Sequence, residues 1–97
     1  MQELVFRGVR FYSPIDEESF FTWLKRMGAV NDVYGHLDSI IVVVDASKVD
    51  DDALGELLAI HERYRVDMAQ LKGLLTPANK HWFHDIPTAY WHKRVFG

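Results

Sequence analysis

Ile40-Ile41-Val42-Val43-Val44 is an unbroken run of five β-branched residues, preceded by Gly35-His36-Leu37-Asp38-Ser39 and followed by Asp45. Two heavy atoms on each Cβ stiffen the side chain and favour extended backbone. No polar residue interrupts the run, so it predicts a central strand covered on both faces. Working outward, Val30 to Tyr34 reads as a second strand, joined to the first through a hairpin loop over Gly35–Ser39. Glu3 to Tyr12 reads as a strand with one wet face, because Val and Phe interleave with Arg. Gly8 inside it marks a possible bulge position.

Between these strands, Ser13-Pro14-Ile15-Asp16-Glu17-Glu18 predicts a helix start. Ser13 caps the first free amides, Pro14 fits the first helical position, and the three acids favour the positive end of the helix dipole. Phe20, Trp23, Leu24 and Met27 share one face, and Gly28 stops the helix. A second helix begins near Asp50, with Val49 and Leu54 spaced as a hydrophobic staple. Leu54, Leu57, Leu58, His61 and Tyr64 line its apolar face. A further short helix from Asp67 turns Met68, Leu71, Leu74 and Leu75 inward and ends at Pro77. In the last twenty residues, Thr76-Pro77 opens a possible short helix through Trp82-Phe83, and periodicity leaves Thr88 to Phe96 open between helix and strand. The expected architecture is one α+β domain over residues 1–97. Its order is β-α-β-β-α-α: a small, mainly antiparallel three-stranded sheet, helices on one face and an aromatic C-terminal tail.

Composition narrows the function classes. Absence of cysteine removes disulfide staples, thiolate metal sites and thiol catalysis. No stretch approaches the roughly 20 apolar residues of a membrane-spanning helix, and no signal layout opens the chain, so a cytoplasmic location is expected. Residues 1–76 hold 8 Lys/Arg against 13 Asp/Glu, a net of −5, and residues 77–97 hold 3 against 1, a net of +2. An acidic body disfavours nucleic acid as the main ligand and suits a basic protein partner. No nucleophile elbow, phosphate loop or dinucleotide fingerprint is present, so neither an enzyme nor a cofactor is expected.

Three groups of residues carry chemistry. In the tail, His81 and His84 stand three apart and, with Asp85 or His92, form a candidate metal set. The same tail interleaves Trp82, Phe83, Tyr90 and Trp91 with Lys80, Lys93 and Arg94, as nucleic-acid stacking surfaces do. These are the alternatives to a simpler expectation, in which the aromatics fold over the core and the histidines sit at the surface. Asp45, Asp50, Asp51, Asp52 and Glu56 form the densest acidic group, read either as caps and a solvated face or as an anionic docking surface. Asp32, Tyr34, His36 and Asp38 line the hairpin and form the edge of a candidate contact surface. His61, on an apolar helix face, is expected to be buried and hydrogen-bonded rather than a general base.

Leu54–Leu71 carries an Arg-Tyr-x-Val-Asp-Met-x-Gln-Leu pattern at Arg63–Leu71, followed by Asn79-Lys80-His81-Trp82-Phe83 and Tyr90-Trp91-His92-Lys93-Arg94-Val95-Phe96. Over residues 54–97 the chain resembles small bacterial immunity proteins encoded beside polymorphic toxins, including those of contact-dependent growth inhibition. The resemblance implies that the protein binds a cognate toxin domain, often a nuclease, and blocks it. A nuclease site is basic because it holds phosphate, so an acidic inhibitor surface gives steering and charge complementarity. The partner-binding residues expected on that basis are Asp32, Asp38, Asp45, Asp50, Asp51, Asp52 and Glu56, with Tyr34 as an aromatic anchor and His36 beside it.

Overall fold

The computed structural model describes all residues, Met1–Gly97. Ser39–Val44 is strand β3, and it is central. It pairs antiparallel with β1, Gln2–Arg7, on one side and with β2, Val30–His36, on the other. Helix α1 spans Pro14–Lys25 and helix α2 spans Asp51–Arg63. A 3-10 segment follows at Met68–Leu74, and the tail forms two short helices, α3 at Lys80–Phe83 and α4 at His92–Phe96. The expected α+β class and element order are observed, with one addition, a single 3-10 turn at Ala46–Lys48.

The caps follow the residue types. The Ser13 hydroxyl accepts the Asp16 N–H at 3.1 Å, Asp50 Oδ1 accepts the Ala53 N–H at 2.8 Å, and Asp67 Oδ1 accepts the Ala69 N–H at 3.0 Å. Each satisfies an amide that the start of a helix leaves unpaired. The segment after Asp67 is a 3-10 helix, and its buried Met68, Leu71 and Leu74 recur every three residues, the period of that helix.

The core lies between one face of the sheet and the helices. Leu4 and Phe6 of β1 and Val42 and Val44 of β3 meet Phe20 and Leu24 of α1, Leu54, Leu57 and Leu58 of α2, and Phe83 and Val95 of the tail. The alternation places Val5, Ile41 and Tyr34, which are register partners across the three strands, on the opposite face. No helix covers that face. This corrects the expectation of a doubly covered central strand. Ile41 is still only 7% exposed. Its neighbours Val5 and Tyr34 shield it, and the Tyr34 hydroxyl crosses β3 to donate to Glu3 Oε2 at 3.5 Å.

Strand ends also differ from the reading of the sequence. β1 stops at Arg7, and Gly8 ends it with φ +67° instead of forming a bulge within it. The bulge lies in β2, where Asn31 is extra between Val30 and Asp32. β2 continues to His36, so the hairpin loop is only Leu37-Asp38, with Leu37 at φ 55°. Most of the tail docks as expected for its bulk: Phe83 is buried, and Trp82 and Trp91 are half-buried against the core, whereas Tyr90, expected to fold over it too, is 51% exposed. The Trp91 indole N–H donates to the Phe83 carbonyl at 2.9 Å, and the Trp82 indole N–H to Asp51 Oδ1 at 3.0 Å.

Candidate functional site

The nine residues expected to bind a partner fall into two separate groups. Asp45, Asp50, Asp51, Asp52 and Glu56 gather where β3 ends and α2 begins. His36 and Asp38 sit at the far end of β3, a six-residue strand, or about 20 Å away at the usual rise. Tyr34 and Asp32 lie between, on the open sheet face.

In the helical group, most carboxylates have internal tasks. Asp45 Oδ1 accepts the Ser47 hydroxyl at 2.6 Å and the Ser47 N–H at 3.1 Å. The hydroxyl bond, reinforced by the amide, holds the Asp45 pKa below the ordinary carboxylate value. Asp50 caps α2, Asp51 accepts the Trp82 indole, and Glu56 Oε1 accepts the Trp23 indole N–H at 3.0 Å. Asp52 faces a shallow groove shared with Arg26, Lys48, Asp50 and Glu56, where both signs of charge are present. This end of the molecule is tied to its own tryptophans, serine and backbone amides.

The hairpin group is differently disposed. Asp32 Oδ1 accepts the Val33 N–H at 2.8 Å, which occupies one amide of the β2 edge. Tyr34 is 42% exposed, and the loop residue Leu37 is 93% exposed. Packing against the sheet, followed by the nearby Glu3 carboxylate, pushes the Tyr34 hydroxyl above its ordinary pKa. The phenol therefore stays neutral, with its hydroxyl turned toward Glu3. Val5, Ile41, Val43 and Tyr34 form an apolar centre, with Glu3 and Asp32 at one end and Arg7, His36 and Asp38 at the other. Glu3, Val5 and Leu37 were not among the expected contacts. Only the register reveals that Glu3 and Val5 share a face with Tyr34, whereas the leucine between His36 and Asp38 at the tip can be read from the sequence.

His61 is fully buried and serves the fold. Its Nδ1–H donates to the Leu57 carbonyl at 2.7 Å, and its Nε2 accepts from Gln70 Nε2 at 3.0 Å. The same Gln70 amide group donates to the Val5 carbonyl at 3.1 Å, and its Oε1 accepts the Val5 N–H at 2.8 Å. Burial holds the His61 pKa down to about 4, so the ring is neutral at pH 7. In the tail, His84 Nδ1–H donates to Asp85 Oδ1 at 2.9 Å, and His92 Nε2–H donates to the His84 carbonyl at 2.8 Å. His81 joins neither, and no three ligand side chains converge there.

No family model, no curated protein and no solved structure matches this chain.

Proposed function

We propose that this protein is an immunity-type binder that neutralises a cognate bacterial toxin domain, a nuclease by preference. We propose further that the open face of the sheet and the Leu37-Asp38 tip make the contact. The observation that carries this reading is the uncovered apolar centre of Val5, Ile41, Val43 and Tyr34 beside Glu3 and Asp32. Tyrosine on a rigid strand is a low-entropy anchor for an interface, and carboxylates at the rim favour a basic partner and speed its approach. The sheet supplies rigidity: its inner face is part of the main core, so the outer side chains are fixed before any partner arrives.

The test is co-expression with the product of the adjacent gene. Growth should be rescued by the native chain and lost with Tyr34→Ala or Asp32→Lys, both on the exposed face. Asp52→Ala, on the α2 groove, should leave rescue intact. A neighbour that is harmless, or rescue that survives both hairpin-face changes and fails with Asp52→Ala, refutes the reading. The Asp32→Lys variant should also slow association and weaken its dependence on salt.

A further inference from the structure

Three arginines converge where the chain leaves β1. Gly8, in the left-handed region, ends the strand and sends Arg10 and Tyr12 toward the C-terminal end of α2. There Arg63, Tyr64 and Arg65 meet them, and Asp16 of α1 completes the wall of a pocket of about 520 Å³.

The end of α2 is built in a costly way. The Val66 N–H bonds the His61 carbonyl at 2.9 Å and the Arg65 N–H bonds the Glu62 carbonyl at 3.4 Å, which closes the helix in a Schellman turn. That turn needs one left-handed residue, and glycine is the usual choice because it lacks a Cβ. Here the position holds Arg65, at φ 58°. The helix dipole favours a cation near this end, but a cation on an ordinary helical residue would serve that purpose without backbone strain. The dipole also does not account for Arg10, which arrives from β1.

None of the three guanidinium groups is in an ion pair. The ion pairs of the chain are Lys80–Asp85, His84–Asp85 and Arg94–Glu62. Asp16, the one carboxylate in the pocket, is already engaged: it accepts the Tyr12 N–H at 3.0 Å and the Tyr64 hydroxyl at 2.9 Å. Arg63 lies over the Tyr64 ring, 5.6 Å from its centroid. That leaves the edge of its planar fork free for an acceptor. Arg10, Arg63 and Arg65 against Asp16 give the pocket a formal charge of +2, on a chain whose net charge is −3.

We infer that this pocket binds the phosphate group of a small phosphomonoester. The dianion would neutralise the +2 of the site and take charge-assisted hydrogen bonds from Arg10, Arg63 and Arg65, with the Tyr12 ring beside the ester group. A monocarboxylate would leave one positive charge uncompensated, so a dianion is the better match.

Titration of the full chain with inorganic phosphate and with phenyl phosphate tests this, against sodium chloride at equal ionic strength. Binding is read from the arginine side-chain N–H resonances and from the melting temperature. Saturable shifts are expected in the native chain, with phenyl phosphate at least as tight as inorganic phosphate. Arg10→Gln and Arg65→Gly should each weaken binding about tenfold or more, as loss of one charge-assisted bond implies. Arg65→Gly removes the left-handed strain, so it should melt no lower than the native chain, and its lost binding cannot be ascribed to misfolding. A non-saturating rise in melting temperature that is equal in native chain and variants would be general salt stabilisation and would overturn the inference. So would a short single-stranded oligonucleotide binding orders of magnitude more tightly than phenyl phosphate with steep salt dependence, which would make the pocket part of a nucleic-acid surface.

Discussion

β1 and β2 are both edge strands of one sheet, and they are finished in opposite ways. At the β1 edge, the Gln70 side-chain amide takes both backbone groups of Val5, so it stands in for a rung of a fourth strand. His61 fixes that amide from behind and is itself fixed by the Leu57 carbonyl. At the β2 edge there is no such cover. An extra residue, Asn31, and the carboxylate of Asp32 on the Val33 amide blunt the strand. Bulges and edge charges are the usual protection against unwanted strand pairing. The closed edge is tied into the fold by Gln70 and His61, whereas the open edge, with the uncovered face beside it, is the surface on which the proposed contact rests.

The largest test of the closed edge is pH. His61 has a folded pKa of about 4 against an ordinary 6.5, because burial disfavours the charged ring. Between those values the unfolded chain binds the proton and the folded chain does not. Stability from this group is thus complete above pH 6.5 and falls as pH drops toward 4. The full difference is about 3 kcal/mol, since each tenfold loss of proton affinity on folding corresponds to about 1.4 kcal/mol. Denaturation midpoints between pH 7 and 4.5 should fall steeply in the native chain and less steeply in His61→Gln. Equal slopes in the two proteins would show that His61 is not the group that titrates.

Gln70→Ala comes next in size. It removes the partners of the Val5 N–H, the Val5 carbonyl and the His61 ring nitrogen together, at a site that is half-buried. Leaving such groups unpaired costs about 2 kcal/mol after water enters where it can. Urea denaturation should show that loss, and amide exchange should rise first at Val5. An exchange increase confined to β2 instead would mean that the two edges are not finished as described.

The difference between the edges also shows what a sequence can and cannot disclose. The caps at Ser13 and Asp50 were legible because a cap is a contact over three residues. β3 was legible because its β-branched run is continuous. That run does not reveal what lies above it, since a face roofed by a helix and a face shielded by Val5 and Tyr34 need the same apolar residues. Contacts between Val5 and Gln70, 65 residues apart, leave no local pattern. The arginine-lined pocket is hidden for the same reason, as it joins Arg10 and Asp16 to Arg63 and Arg65. In the tail, α3 and α4 are only 4 and 5 residues long. Such helices are too short to stabilise themselves, and tertiary bonds such as Trp91 to Phe83 decide their form.

The smallest effect is at the open end, and it separates fold from function most cleanly. Leu37 has φ 55° and is 93% exposed, so it carries backbone strain with almost no burial in return. An L-residue in this region costs roughly 1–2 kcal/mol, and glycine avoids that cost while losing about 0.4–1 kcal/mol through the greater freedom of the unfolded chain. Leu37→Gly should therefore stabilise the protein by about 0.5–1 kcal/mol, read as a higher urea midpoint at unchanged slope. If the tip is part of the contact, the same change should weaken partner binding, because it removes an apolar side chain that the free protein does not use. A variant that is more stable and binds as well as the native chain would remove the tip from the interface and leave only the Tyr34 face. A variant with no gain in stability would show that the turn relaxes around leucine, and the strain at Leu37 would then offer no reason to look for a partner there.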